Sequence, residues 1–120
     1  MKLLVAFVST SDTAKALAFY RDVLRLRLVE DTPFALVFNA NGTTLRVTKV
    51  QSVTVAAYTV LGWHVDDIAS EMRDLASRGV QFERYPGLTQ DAGGIWASPH
   101  GARIAWFKDP DGNTLSLSQS

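Results

Sequence analysis

Two stretches of this chain read as copies of one another. Asn41-Gly42-Thr43-Thr44-Leu45-Arg46-Val47-Thr48 and Asp111-Gly112-Asn113-Thr114-Leu115-Ser116-Leu117-Ser118 are each a polar turn that feeds an alternating strand. Gly42 falls on Gly112, Thr44 on Thr114, Leu45 on Leu115 and Val47 on Leu117, so one supersecondary unit is written twice. The front halves match as well. Asp12 and Asp67, Leu17 and Met72, and Tyr20 and Leu75 keep a constant offset. That offset is 55 between residues 12 and 67 and grows to 70 between residues 42 and 112, which calls for about 15 extra residues in the second copy. Pro86 to Gly101, rich in Gly and Pro, is the expected place for them, as a loop with a short strand at Ile95 to Ser98.

Within each copy the hydrophobic periods set the elements. Leu3 to Val8 is a short apolar run suited to a strand, and Ser11-Asp12 is a helix-capping signal. Ala16, Leu17, Tyr20, Val23 and Leu24 then form one apolar stripe of a helix ending near Arg25. Leu26 to Val29, Phe34 to Phe38 and Thr44 to Val50 follow as strands separated by turn clusters. After a connection at 51–57, the strand Tyr58 to Val65, the cap Asp66-Asp67 and a helix with Ile68, Met72, Leu75 and Ala76 on one face repeat the order. The expected fold is α+β: two tandem βαβββ units, 1–50 and 58–120, in a single domain 1–120, with the insertion at 86–101.

Composition excludes several function classes. Lys plus Arg and Asp plus Glu number 12 each, so no net field favours nucleic acid or an anionic membrane. No apolar run reaches the roughly 20 residues of a spanning helix, and Met1 to Ser9 lacks the features of a signal peptide, which together lead us to expect a soluble cytoplasmic protein. With no Cys, disulfides, thiolate metal sites and cysteine nucleophiles are impossible. There is no GxGxxG, no GxxxxGK[ST] and no G-x-S-x-G, and Asp109-Pro110-Asp111-Gly112-Asn113 reads as a tight turn rather than a calcium loop.

Ser11-Asp12 followed by Ala18-Phe19-Tyr20-Arg21-Asp22-Val23-Leu24, then Val65-Asp66-Asp67-Ile68, then Phe107-Lys108-Asp109-Pro110-Asp111-Gly112-Asn113, resemble in order and spacing the vicinal oxygen chelate superfamily. That superfamily includes glyoxalase I, extradiol dioxygenases, and the fosfomycin and bleomycin resistance proteins. The resemblance spans essentially the whole chain and implies curled mixed sheets around a cup-shaped cavity, with the helices outside. One departure is Arg25, where the family usually has Gly after the helix. A left-handed Arg costs on the order of 1 kcal/mol, so a different helix ending is expected.

The resemblance also implies four metal-ligand positions, on the first and last strands of each unit: Val5, Arg46, Val60 and Ser116. Val has no lone pair, Arg is a permanent cation, and Ser offers only a neutral hydroxyl, so no metal and no other cofactor is expected. What remains on the cup face suits a small molecule: Phe7, Ser9, Arg46, Thr48, His64, Trp96, Trp106 and Ser116 as binding residues. Arg46, if it points inward, calls for an anion, either Glu30 or Asp31 within the protein or a group on a ligand; on an exposed edge strand it would instead snorkel to water. Phe34, Phe38 and Tyr85 are expected among the aromatic walls, and Phe19, Tyr20, Phe82 and Phe107 in the core. Trp96 is expected in a loop that folds over the site as a lid. His64 is the candidate acid or base, with a rim histidine, solvated or hydrogen-bonded to Asp66 or a backbone group, as its alternative role; His100 reads as a turn residue.

Three functional readings follow. The first is a metal-free protein that binds a small, aromatic or anionic molecule, as the bleomycin resistance members do. The second is a superfamily enzyme, either metal-independent through His64 or with a displaced metal site; metal-dependent glyoxalase or dioxygenase chemistry has little support in these residues. The third is a structural or regulatory domain with a vestigial cavity. A homodimer is expected, because small members of the family complete their cups by pairing units.

Overall fold

The computed structural model describes residues 1–120. Its elements are β1 (Val5–Thr10), α1 (Thr13–Leu17), which runs on into a π-helical turn at Ala18–Val23, β2 (Arg27–Asp31), β3 (Ala35–Ala40), β4 (Thr43–Lys49), β5 (Thr59–His64), α2 (Ile68–Ser77), β6 (Trp96–Ala97), β7 (Arg103–Lys108) and β8 (Thr114–Gln119). They form two open four-stranded sheets, ordered β1-β4-β3-β2 and β5-β8-β7-β6. The two orders are the same pattern, which is the structural form of the sequence repeat. In each sheet the first strand pairs parallel with the last and the other pairings are antiparallel. Two compact units result, one of residues 1–55 with 109–113 and the other of residues 56–108 with 114–120.

In the first unit the period of two sends Val8, Leu45, Val47, Leu36 and Phe38 to the helix side, where all are buried together with Ala16 and Tyr20. Asp12 caps α1 by accepting the backbone N–H of Lys15 at 3.1 Å. The π-helical turn then places the ring of Tyr20 against Phe19 and Phe38, with centroids 5.1 and 5.9 Å away. Its hydroxyl donates to Asp109 Oδ2 at 2.7 Å. Burial, then the charge of Asp109 and this hydrogen bond, raise the phenol far above the ordinary tyrosine range, so it stays protonated and donating.

The helix ending departs from expectation. Arg25 does take the left-handed conformation, with φ 59°. The N–H of Leu26 reaches back to Tyr20 O and that of Leu24 to Phe19 O, a Schellman-like closure widened by the π-helical turn. These two backbone bonds and the half-burial of Leu26 offset the strain that Gly would have avoided.

Asp109 organises the turn 109–113. Its Oδ1 accepts the N–H groups of Asp111 and Asn113, and its Oδ2 accepts Tyr20 and Asn113 Nδ2. Asn113 Nδ2 also donates to Ser9 O, and Asp111 Oδ1 accepts both the N–H and the hydroxyl of Ser11. Burial opposes the charge on Asp111, yet these donations hold its carboxyl below the usual range.

In the second unit Asp67 caps α2 through the N–H of Ser70, and Ile68, Met72 and Leu75 are buried with Leu115, Leu117, Ala105 and Phe107. Ala76, expected on the buried stripe, is exposed instead. Phe82 and Phe19 are half-buried, and Phe82 packs edge-on to Phe107 at 5.7 Å. No helix is long and apolar enough to cross a membrane.

Candidate functional site

Strand register fixes which side chains share the sheet face away from each helix. In the first unit Phe7 lies opposite Arg46, which lies opposite Val37, and the next row is Ser9, Thr48 and Ala35. Phe7 is 61% exposed on the edge strand, Arg46 is half-buried, and Val37 and Ala35 are buried. The four predicted residues Phe7, Ser9, Arg46 and Thr48 thus stand in two adjacent rows.

Arg46 has no carboxylate partner in the protein. Asp31, one of the two expected, is held at 2.6 Å by Lys49, whose ammonium also donates to Thr32 O. Glu30 lies exposed on β2 and makes no ion pair. A half-buried guanidinium without an internal anion keeps its donors for something else.

In the second unit the corresponding row is Gly62, Ser116 and Trp106, and the next is His64, Ser118, Ile104 and Trp96. Predicted residues His64, Trp96, Trp106 and Ser116 therefore share one face. Trp106 is flanked by Tyr85, edge-on at 5.4 Å, and by Trp96, tilted 34° at 6.2 Å. Beside them the Ser116 hydroxyl sits over Gly62, in the space a side chain there would take. A Cβ built there would come within 2.7 Å of Ser116 Oγ. The two faces are therefore not alike: aromatic, cation and aliphatic across the first, glycine, hydroxyl and indole across the second.

Several expectations are corrected. Phe38 is fully buried on the helix side and Phe34 is 75% exposed before β3, so neither walls a cavity. The run 35–38 is buried on both faces, which removes the alternation that would have told its sides apart. Trp96 belongs to β6, paired with Ile104, and not to a lid. The segment before it is pinned rather than free. Asp91 Oδ1 accepts the N–H groups of Gly93, Gly94 and Ile95, Gln90 binds Tyr85 N, Glu83 O and Gly94 O, and Arg84 donates to three backbone carbonyls. The bond from Ile95 N–H, against opposing desolvation and with help from Gly93 and Gly94, holds Asp91 below the usual carboxylate range.

His64 is exposed at the end of β5 and hydrogen-bonds neither Asp66 nor another side chain. Val60 is the unpaired residue of a bulge between Thr59 and Leu61. Val5, Arg46, Val60 and Ser116 do not fit a divalent metal, for want of imidazole or carboxylate donors, and no three His, Asp or Glu side chains elsewhere gather closely enough to hold one.

One group of residues escaped the sequence reading. Ala57, Tyr58, Thr59, Tyr85, Trp106, Lys108 and Thr114 line a concavity of about 170 Å³ on the uncovered face of the second sheet. Lys108 and Thr114 face each other in the register, and Lys108 Nζ donates to Thr114 Oγ1 at 2.7 Å. Burial and then the nearby charge of Glu83 raise the Tyr85 phenol above its ordinary range, so it stays protonated. The signal for Lys108 was its parity with Trp106, two residues earlier on the same strand.

Comparison with solved structures agrees with this architecture. A superfamily member from Sphaerobacter thermophilus is 25% identical, with a TM-score of 0.74 over 100% of this chain and 98% of that one. TnmS3, an antibiotic binding protein from Streptomyces sp. CB03234, is 23% identical with a TM-score of 0.69 and coverage of 99% and 95%. The fosfomycin resistance protein FosX from Listeria monocytogenes is 14% identical with a TM-score of 0.78 and coverage of 100% and 93%. No curated protein matches the chain in sequence. The family model of the Glyoxalase/Bleomycin resistance protein/Dioxygenase superfamily matches residues 2–117. With that match over nearly its full length and the repeated sheet order beneath it, the chain belongs to this superfamily.

Proposed function

We propose that this protein binds a small aromatic molecule without a metal, on the uncovered faces of its sheets. The observation that carries the reading is the half-exposed Trp106, bracketed by Tyr85 and Trp96 and lining the concavity beside them. An aromatic surface with a recess and a few polar groups at its edge is the usual make-up of a small-molecule site. Phe7, Ser9, Arg46 and Thr48 on the first unit, and His64, Trp96, Trp106 and Ser116 on the second, are the binding residues of this proposal. The antibiotic-binding neighbour supports it as a fold precedent. His64 has no partner to orient its ring, which acid–base work requires, so binding is favoured over catalysis.

The same reading includes a homodimer. Leu3, Leu4 and Phe7, before and on the edge strand β1, and Phe34, at the far end of the same sheet, are between 61% and 82% exposed, apolar side chains that a second copy would cover.

Tryptophan fluorescence titration with a panel of planar aromatic compounds tests the binding. The expected result is saturable quenching by at least one class, weakened at least tenfold in Trp106→Ala. No saturable signal from any class, with the protein folded, would refute it.

A further inference from the structure

The Lys108–Thr114 pair gives the aromatic site a chemical preference. Lys108 extends from β7 on the same face as Trp106, and Thr114 fixes its ammonium by accepting one hydrogen bond at 2.7 Å. An ammonium has three donors, so two remain free. No carboxylate pairs with them: Asp109, next in the chain, is buried and turned to Tyr20 and Asn113, and Glu83 makes no ion pair with Lys108. Tyr58, Thr59, Tyr85 and Trp106 line the concavity with this cation. The concavity, about 170 Å³, is smaller than the 300–1,000 Å³ of drug-sized pockets, so it takes a single ring.

We infer that this concavity selects a single-ring aromatic bearing a carboxylate, its ring against Trp106 and Tyr85 and its carboxylate on Lys108. The inference rests on the proposed aromatic binding and adds the charge and the anchoring residue. A lysine is a compact point charge rather than a planar fork, so the anchor reads negative charge more than carboxylate shape. Ring and charge must meet together, because either alone gains little from so shallow a surface. Lys108→Met keeps the aliphatic stem and removes only the ammonium, which isolates that term.

The test is a calorimetric titration of benzoate and of its neutral analogue benzamide against the wild-type protein, Lys108→Met and Lys108→Arg. Benzoate is expected to bind wild type about tenfold tighter than benzamide, a charge-assisted hydrogen bond's share of affinity. The preference should fall below twofold in Lys108→Met and return in Lys108→Arg. Equal binding of both compounds to wild type overturns the charge selection while leaving aromatic binding in place. A benzoate preference that survives in Lys108→Met overturns the anchor. Binding of neither compound, with fluorescence also silent across the wider aromatic panel, refutes the underlying reading as well.

Discussion

Arg46 shows how a single residue separates stability from function. It sits half-buried between Phe7 and Val37 with no internal carboxylate, an arrangement that costs desolvation without a matching pair. Arg46→Met is therefore expected to raise the melting temperature by a few degrees in thermal denaturation, the sign that marks a side chain held for binding rather than for the fold. Tyr20 is the opposite case. Its phenol bonds the buried Asp109, so Tyr20→Phe should cost about 1–3 kcal/mol in denaturant unfolding, the penalty of an acceptor left short of a donor. Gly62 links the two concerns. Gly62→Ala brings a methyl within 2.7 Å of Ser116 Oγ, so that hydroxyl has to move within the row it shares with Trp106. Weakened aromatic binding with only a small loss of stability is expected, because Ser116 Oγ can rotate away, and adding Ser116→Ala should restore it.

At the scale of elements, the segment before β6 hangs on one carboxylate. The folded pKa of Asp91 is lowered, so its contribution is present above the unfolded carboxylate value near 4 and is lost as pH falls through the folded one. Hydrogen exchange at Gly93, Gly94 and Ile95 should therefore accelerate relative to the core as pH drops below about 4, after correction for intrinsic rates, and in Asp91→Ala at neutral pH. The repeated sheet order was legible in the sequence because both copies keep the same alternation, Leu45 and Val47 against Leu115 and Leu117, and all four are buried. The polar turn before β4 was legible too, and it closes as a type I′ turn in which Asn41 and Gly42 both have positive φ. The π-helical turn at 18–23 was not, since it depends on where Tyr20 must reach rather than on local propensity. Phe38 was misplaced for a related reason, as a strand buried on both faces shows no period. Lys108 went unseen because a lysine before a turn reads as solvated, and only the register reveals Thr114 across from it.

For the whole molecule, the repeat supplies one scaffold twice while the two uncovered faces diverge. The scaffold rows hold Leu, Val and Phe, whereas the faces carry Phe7, Arg46 and Val37 in one copy and Gly62, Ser116 and Trp106 in the other. Val5, Arg46, Val60 and Ser116 offer one neutral hydroxyl and no imidazole or carboxylate, so superfamily membership carries the fold and does not by itself carry the family's metal chemistry. Sedimentation should find a dimer at micromolar concentration; a monomer would leave Leu3, Leu4 and Phe34 exposed to water and refute the proposed pairing. The central claim is metal-free binding of an aromatic molecule. Its most direct test is one calorimetric titration of the tightest-binding compound from the aromatic panel, with and without prior chelator treatment. Unchanged affinity and a stoichiometry that survives chelation are predicted. Binding that disappears on chelation and returns with a divalent metal would contradict the account.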